Sequence, residues 1–430
     1  MARIKKKLKY PARDHLRRVA AALSRPLKSN YILLHGADSI QRGFSDQTYP
    51  FDQESNFYYL TGAQSPGWTL LYDIKEDNAV IYIPPQREPR QVAYMGQTES
   101  TEQVMASYEV DAAYYHDKLG SAFIQFGAKF YTFTDAALME ALAACRVIKD
   151  KYELVALCTA NNITCDAHRS IARQLKHYTS ERQAEADFLR ACRLAGAPTQ
   201  AYNPIIASGA HASVLHYGAN DASFFDAELV LVDAAAEYNR YAADVTRTYP
   251  LSGKFSHKAR QIYENVYELQ MLGISMIRPG QAMQEIHMAV MKRLGEMLVA
   301  LGFLKCDAET CYKLQLGVAF MMHGLGHQIG LDVHDVSPSK GSVPQKTESF
   351  TLQAGQVITI EPGIYFNESF LQTYYEGEHG HHFDQEHIAS YASVGGVRIE
   401  DCLLVTETGF ENLTNLPKHI DAIECLVQEA

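Results

Sequence analysis

The sequence predicts a mixed α/β (α+β) protein of two domains. Its 430 residues are more than one ordinary hydrophobic core holds, and 47% apolar with 21% charged residues are globular proportions. The first part of the chain alternates short apolar strands with helical segments, whereas later strands end on single acidic residues. We therefore expect a small N-terminal α/β domain over residues 1–150 and a larger domain over residues 151–430.

The N-terminal domain is expected to contain strands at residues 31–34 and 79–83, because both are short apolar runs. Residues 57–60 and 69–72 are predicted as paired strands around a turn region between Gly62 and Gly67. The acids and histidines of this domain show no grouping typical of ligands. We expect the domain to shape access to a site elsewhere.

Helical patterns open the second domain. Charged residues 146–153 precede helical periodicity at Leu154, Leu157, Ala160 and Ile163, which places the domain boundary there. Ser180 and Gln183 have the spacing of a capping box for a second helix. Two more helices are predicted at about residues 257–276 and 282–301.

Charge and composition exclude several classes of protein. A net charge of −11 argues against a nucleic-acid partner, which usually needs a basic face. We expect no membrane partner, because no apolar run approaches the roughly 20 residues that span a bilayer, and no secretory signal is apparent. The eight cysteines form no CxxC pair, so we expect reduced thiols and a cytoplasmic protein.

Two aspartates are predicted to meet at one edge of a sheet. Asp233 ends the apolar run 229–232, and the next alternating segment places Asp244, Thr246 and Thr248 on one face. Two antiparallel strands would bring both carboxylates near one point. On this segment alone, a pair of surface acids at hairpin ends remains an equal alternative.

Three histidines lie within twelve residues, His323, His327 and His334, with glycines between them. Side chains four and seven residues apart can converge on one cavity, and glycine permits close backbone approach. The spacing resembles the zinc-binding HExxH helix, but Gly324 follows His323, so that helix is not predicted.

Two glutamates complete the set. Glu361 ends a predicted strand, where Pro362 and Gly363 are expected to force a turn, and Arg398 and Glu400 share one face of another strand. A surface ion pair is the alternative for these last two. Four carboxylates and one imidazole suit two divalent cations that share a bridging water, and so predict a metallohydrolase: Asp233, Asp244, His327, Glu361 and Glu400.

These motifs resemble those of the pita-bread metallopeptidases, specifically the proline peptidases aminopeptidase P and prolidase. The likeness covers nearly the whole chain and comprises the Asp233–Asp244 spacing, HGLGHxxGLDVHD from His323, IEPGIYF from Ile360 and GGVRIED from Gly395. It implies a C-terminal pita-bread domain, with a curved, mostly antiparallel sheet flanked by helices. It also implies homodimers, with a dimerisation role for the N-terminal domain, and two divalent metal ions per subunit, usually Mn²⁺.

The resemblance also implies roles for single residues. Asp244, His327 and Glu400 would ligate one metal, Asp233 and Glu361 the other, and some carboxylates would bridge both. His216, His334 and Arg398 match substrate-binding or catalytic positions of the family. His323 and Tyr202 match positions that line the same cavity and bind substrate.

The implied function is a dinuclear-metal exopeptidase that hydrolyses the Xaa-Pro bond at the N-terminus of dipeptides or short peptides. A metal-bridging hydroxide would attack the carbonyl before proline, and a metal with His334 would stabilise the oxyanion. Glu361 would carry a proton towards the proline nitrogen, which must be protonated to leave. His216 would grip the substrate. The alternative is a non-catalytic pita-bread interaction module, in which we would expect ligands to be missing.

The chain departs from the family pattern in three places. Residues 342–348 contain no arginine, which prolidases use for the dipeptide carboxylate, and Lys346 lacks the bidentate fork. Residues 374–387 form an insertion of prolidase type that is rich in histidine and predicted as a surface loop, with a lid as the alternative. Ala235 and His211 stand where the family often has glycine and asparagine. The sequence therefore leaves open the substrate length, the residue preferred before proline and the native metal, for which Mn, Co, Fe and Zn all suit the ligands.

Overall fold

The computed structural model describes residues 9–23, 26–121, 129–336 and 350–429. Within these residues the chain divides into two compact units, with the division between Arg146 and Val147. None of the helices in the described part of the chain combines the length and the apolar character needed to cross a membrane.

The first unit contains a four-stranded sheet in the order β1-β2-β3-β4, in which β4 alone joins its neighbour in parallel. Its strands are β1 (Tyr31–His35), β2 (Thr69–Asp73), β3 (Asn78–Ile83) and β4 (Ala112–Tyr115). Its helices are α1 (Ala12–Ala22), α2 (Ser55–Thr61), α3 (Pro89–Met95), α4 (Thr101–Ser107) and α5 (Ala136–Val147), which ends at the division. The strands predicted at residues 31–34, 69–72 and 79–83 are confirmed.

The strand predicted at residues 57–60 is wrong, because this segment is helix α2. The Glu54 carboxylate accepts a hydrogen bond from the backbone N–H of Phe57 and caps the helix, and Gly62 ends it with φ 70°. Residues 56–61 are all buried. An apolar run buried on every side has no periodicity that would separate a helix from a strand.

The second unit is built on antiparallel ladders flanked by helices, as predicted. The sheets have the orders β10-β7-β6, β11-β14-β15, β12-β13 and β5-β8-β9. The strands are β5 (Thr199–Gln200), β6 (Ile205–Ser208), β7 (Leu229–Asp233), β8 (Ala236–Tyr238), β9 (Tyr241–Ala242), β10 (Thr246–Pro250), β11 (Val357–Ile360), β12 (Gly363–Tyr365), β13 (Gly396–Arg398), β14 (Asp401–Val405) and β15 (Phe410–Asn412).

The helices of this unit bury apolar faces in one large core with the strands, to which Phe188, Ile262 and Val290 each contribute a fully buried side chain. They are α6 (Lys151–Gln174), α7 (Glu181–Leu194), α8 (His257–Ser275), α9 (Met283–Ala300), α10 (Ala308–Lys313), α11 (Glu368–Tyr375), α12 (Gln385–Ala389) and α13 (Ile420–Gln428). The helices predicted at residues 257–276 and 282–301 are confirmed to within two residues.

The capping box predicted for α7 is wrong. The Ser180 side chain makes no cap hydrogen bond, and Gln183 Oε1 accepts from the backbone N–H of Thr179 at 2.7 Å. The neighbouring Glu181 is fully buried, with its carboxylate bonded to a loop elsewhere in the unit. Tertiary contacts have therefore replaced the local cap.

A long hairpin is interrupted at matching points in both strands. Strand β11 pairs with β14 up to Ile360 and Asp401, and β12 pairs with β13 from Gly363 and Arg398. Residues 361–362 and 399–400 lie between the two ladders and belong to neither. The turn predicted at Pro362 is therefore not a chain reversal. It is a break in the hairpin, and Glu361 and Glu400 both lie in it.

The insertion within residues 374–387 is folded against the core and is not a simple surface loop. Phe383 within it is buried, and His387 Nε2 lies 2.9 Å from the carbonyl oxygen of Leu301. His381 is exposed. Because the segment is rich in polar residues, the sequence did not indicate that Phe383 is buried and anchors it.

Candidate metal centre

Asp233 and Asp244 are brought together by the β7–β10 pair. Asp233 is the last residue of β7 and pairs with Thr246, and Asp244 lies two residues before β10. The Tyr202 hydroxyl bridges them: it donates to Asp233 Oδ1 and lies 2.7 Å from Asp244 Oδ1. Both aspartates are buried, so the alternative of two surface acids is wrong.

His327 faces this pair. Its Nε2 lies 3.3 Å from Asp244 Oδ2 and 3.7 Å from Glu361 Oε1. Its Nδ1 lies 3.0 Å from the carbonyl oxygen of Gln328, which only a protonated nitrogen can bond. That hydrogen bond leaves Nε2 as the nitrogen available to a metal. The backbone of His327 is bonded to Thr359 of β11, which fixes the ring relative to Glu361.

Glu400 contributes a carboxylate with one oxygen unused. Its Oε2 accepts from the Thr246 hydroxyl at 2.8 Å, and its backbone N–H donates to the Thr246 carbonyl oxygen. Its Oε1 is buried and has no hydrogen-bond partner among the described residues. A buried, unsatisfied carboxylate oxygen needs a cation or a proton. Ligand atoms of Asp244, His327 and Glu400 all lie within 4.8 Å of one another.

The electrostatics of this cluster follow from its burial. Desolvation, followed by repulsion from neighbouring carboxylates, raises the pKa of Glu400 well above its ordinary value. Burial also raises the pKa of Asp233, and it raises that of Glu361 to about 7. Burial alone would lower the pKa of His327, but Asp244 and Glu361 raise it to about 9. Oxygen ligands with one imidazole in such a pocket fit divalent cations.

Arg398 connects the acidic cluster to Thr246 and Tyr365. Its Nη2 donates to Asp233 Oδ2, its Nε lies 3.2 Å from Thr246 Oγ1, and its Nη1 lies 2.9 Å from the Tyr365 hydroxyl. The Arg398 side chain is 4% exposed, so the predicted alternative of a surface ion pair is wrong. A buried guanidinium instead supplies positive charge beside the aspartate.

The Tyr365 hydroxyl, which contacts Arg398, also bonds His323. Tyr365 OH lies 2.8 Å from His323 Nε2, and His323 Nδ1 lies 2.7 Å from the carbonyl oxygen of Gly324. Because Nδ1 faces a carbonyl, it carries the proton, and Nε2 accepts from the tyrosine. His323 Nδ1 also lies 3.7 Å from Glu361 Oε2. Burial lowers the pKa of His323 to about 3, which keeps this ring neutral.

The two remaining histidines lie near the same cluster. The His334 ring centroid is 4.2 Å from that of His327, and burial lowers the pKa of His334 to about 4. His216 is exposed, and its electrostatic influence reaches both His323 and His334. All ten residues singled out from the sequence therefore lie at or around one centre.

Three further residues contact the predicted site residues, and none of them was predicted to belong to the site. Thr246 bonds both Glu400 and Arg398, and its place on the Asp244 face was the available signal. Tyr365 lies within the IEPGIYF motif, but no pattern in the sequence indicates its contact with His323. The Cys402 thiol lies 3.1 Å from the carbonyl oxygen of Asp244, and as one buried residue in an apolar strand it gave no signal. Residues 342–348, including Lys346, lie outside the described residues.

Two family profiles match this chain. The profile of metallopeptidase family M24 matches residues 156–407, and that of the aminopeptidase P N-terminal domain matches residues 15–130. A probable Xaa-Pro aminopeptidase of Fusarium vanettenii is 37% identical, over 98% of this chain and 96% of its own length. One from Coccidioides posadasii is 36% identical, over 98% of this chain and 97% of its own length.

Solved structures resemble the chain over nearly its whole length. Zn-substituted aminopeptidase P of E. coli, in complex with product, superposes with a TM-score of 0.82 at 28% identity, covering 97% of this chain and 98% of that chain. An aminopeptidase of Pseudomonas aeruginosa superposes with a TM-score of 0.81 at 29% identity, covering 98% of both chains.

Proposed function

The chain belongs to metallopeptidase family M24, and we propose that this metallopeptidase removes the N-terminal residue from peptides with proline in second position. The relatives that support this substrate are the fungal Xaa-Pro aminopeptidases and the E. coli aminopeptidase P. The alternative of a non-catalytic interaction module is set aside, because the family is one of metallopeptidases, the relatives are named as aminopeptidases and all five predicted ligands are present in the sequence.

The observation that carries the proposal is that ligand atoms of Asp244, His327 and Glu400 lie within 4.8 Å of one another, while the buried Glu400 Oε1 has no hydrogen-bond partner among the described residues. We propose that Asp244, His327 and Glu400 hold one divalent ion and that Asp233 and Glu361 hold a second. We expect both ions to be Mn²⁺. Two such ions would lower the pKa of a bound water and so supply hydroxide near neutral pH.

The protein's own groups would then bind the peptide and move protons. His323 and His334 stay neutral at pH 7, because burial lowers the pKa of each to about 3 and about 4 respectively. A neutral imidazole can donate a hydrogen bond to the developing oxyanion, and we assign this to His334. Glu361 lies between His327 and His323 and is assigned the transfer of a proton to the proline nitrogen. Arg398 holds Asp233 in place, and His216 and Tyr202 complete the substrate-binding wall.

We further propose a homodimer in the cytoplasm. The N-terminal unit would shape substrate access and dimerisation, and residues 151–430 would carry catalysis. We favour an aminopeptidase over a dipeptidase, since the relatives named above are aminopeptidases.

The test compares two substrates. Purified protein loaded with Mn²⁺ is incubated with an Xaa-Pro-Yaa tripeptide and with the matching Xaa-Pro dipeptide, and the released amino acids are quantified. We expect faster release of the first residue from the tripeptide. Faster cleavage of the dipeptide would make the enzyme a dipeptidase, and no release from either would refute the proposal. Metal analysis of the active protein should give two ions per chain.

A further inference from the structure

The loop that carries His216 is tied to a single buried carboxylate, that of Glu181 at the start of α7. We call residues 208–222 the His216 loop. Glu181 Oε1 accepts from the backbone N–H of Ser208 at 2.8 Å and from its hydroxyl at 2.7 Å. Its Oε2 accepts from the Tyr217 hydroxyl at 2.7 Å and from the backbone N–H of Ala222 at 2.9 Å. One side chain therefore holds both ends of the loop.

His211 supplies a fifth donor from inside the loop. Its Nδ1 lies 3.3 Å from Glu181 Oε1, and its ring stacks on Tyr217 with centroids 4.4 Å apart. The Glu181 side chain is completely buried. Burial by itself would raise the pKa of Glu181, but hydrogen bonds from Ser208, Ala222 and Tyr217 lower it overall. The loop thus closes around a carboxylate that stays ionised.

The opposite side of the loop packs on the segment that leads to Arg398. A Cβ on Gly395 would overlap the carbonyl oxygen of Gly209, and one on Gly396 would overlap that of Ala212. In addition, Asn367 Nδ2 lies 3.0 Å from the carbonyl oxygen of Ser213. The loop backbone is therefore held between Glu181 and the start of β13, while His216 remains exposed.

We propose that Glu181 is a positioning residue that sets the place of His216 in the peptide-binding wall. The inference rests on the proposed function, since it takes His216 to bind substrate. The Glu181 carboxylate bonds only residues of the His216 loop among the described residues, and none of these is a proposed metal ligand. Its effect should appear in substrate binding and leave the metals unaffected.

Glu181→Gln is the informative change, because it keeps the shape of the side chain. The backbone N–H groups of Ser208 and Ala222 face different oxygens of the carboxylate, and neither can accept a hydrogen bond. Either orientation of the amide therefore places its NH₂ against a backbone donor. We expect KM for an Xaa-Pro-Yaa peptide to rise about tenfold, with kcat changed less than about twofold. The Kd for Mn²⁺ should be unchanged.

Asp187→Asn is the matched control. Asp187 lies on the same helix and accepts from Ser170 Oγ at 3.0 Å and Tyr178 OH at 2.7 Å, and its pKa is also lowered. The substitution removes the same charge, and the partners of the Asp187 carboxylate, Ser170, Tyr178 and Arg190, all lie outside the His216 loop. We expect its KM to stay at the wild-type value. An equal rise in KM for both variants would reduce Glu181 to a general structural role and overturn the proposal.

Two further measurements separate this inference from the proposed function. In Glu181→Gln, amide hydrogen exchange should accelerate in residues 208–222, and unchanged exchange there would overturn the positioning role whether or not the protein is active. The double variant of Glu181→Gln with His216→Ala should have the KM of His216→Ala alone, and multiplying effects would show that Glu181 acts independently of His216. If the wild-type protein cleaves neither substrate, the proposed function fails, while the exchange measurement still decides the role of Glu181.

Discussion

The guanidinium of Arg247 and the carboxylate of Asp401 lie 2.7 Å apart, and neither side chain is exposed to solvent. Every N–H of this guanidinium meets an acceptor: Asp401 Oδ1 and the carbonyl oxygens of Thr246, Glu400, Leu416 and Pro417. Two of those carbonyls belong to residues at the metal centre. Arg247 therefore joins the backbone of Thr246 to that of Glu400.

Arg247→Met should destabilise the protein and weaken metal binding together. Removing one partner of a buried ion pair typically costs about 3–5 kcal/mol, and the remaining contact of Asp401 with Lys418 favours the lower end. Urea unfolding of the metal-free protein measures the first effect, and Mn²⁺ titration of the folded variant measures the second. The core variant Leu298→Ala provides a comparable loss of stability away from the centre, and should keep wild-type metal affinity. Equal Mn²⁺ affinity in both variants would contradict this role.

Glu400→Ala should abolish the binding of at least one metal ion, because it removes the one predicted ligand that has a buried and unsatisfied oxygen. We expect the affinity to fall by at least ~100-fold, beyond what loss of an outer contact causes. Isothermal titration with Mn²⁺ should show one strong site fewer than in the wild type. Glu407→Ala removes an exposed glutamate of the same unit and serves as the control.

Metal binding should release protons at neutral pH. In the metal-free protein, burial and mutual repulsion raise the pKa of Glu361 to about 7 and that of Glu400 well above its usual range. Raised values mean that protons occupy these carboxylates at pH 7, and a metal ion binds only the deprotonated forms. Affinity for Mn²⁺ should therefore increase with pH. Titration calorimetry in buffers of different ionisation enthalpy counts the protons, and identical heats in all buffers would rule out the release.

Gly326→Ala should disturb the candidate metal centre by displacing the backbone next to His327. A Cβ at residue 326 would overlap the carbonyl oxygen of Thr359, and the adjacent His327 is bonded to Thr359 at 2.8 and 3.1 Å. We expect a loss of stability of about 1–3 kcal/mol with weakened metal binding. Thermal unfolding and Mn²⁺ titration measure the two effects. At Gly409 an added Cβ meets no atom within 4 Å, so Gly409→Ala should behave as wild type.

The buried His168 should make stability depend on pH below 6.5. Burial lowers its pKa from 6.5 to about 3, and its ring is bonded to Tyr249 OH and the carbonyl oxygen of Ala234. The unfolded chain then binds a proton that the folded chain excludes. The stabilisation that neutral His168 contributes is fully present above pH 6.5. It is lost as pH falls, by about 1.4 kcal/mol per pH unit. In His168→Gln, the slope of unfolding free energy between pH 4.5 and 6.5 should decrease by about one proton, and an unchanged slope would exclude this explanation.

Residues singled out from the sequence lie close together in the structure, whereas several local folds predicted around them are wrong. Asp233 and Glu361 were recognisable as candidates because each ends an apolar run, and Asp244 and Glu400 because each lies in an alternating segment. The same rule says nothing of Tyr365 or Cys402, whose contacts depend on partners 33 and 158 residues away in the chain.

The errors have a common physical origin. Residues 57–60 are buried on all sides, Pro362 lies in a broken hairpin, and Ser180 begins a helix whose next residue is bonded to a remote loop. In each case the local pattern was compatible with two structures, and a tertiary contact decided between them. Patterns over a few residues cannot carry that information.

The interrupted hairpin also bears on how the protein matures. Glu400 reaches Thr246 across 154 residues of sequence, and Arg398 reaches Asp233 across 165. Contacts between such distant segments form late, because a long stretch of chain must close before they yield any stabilisation. A nascent or half-folded chain therefore presents single carboxylates but no complete centre. If the centre binds metal as proposed, only a chain whose second unit is fully folded would bind it with full affinity.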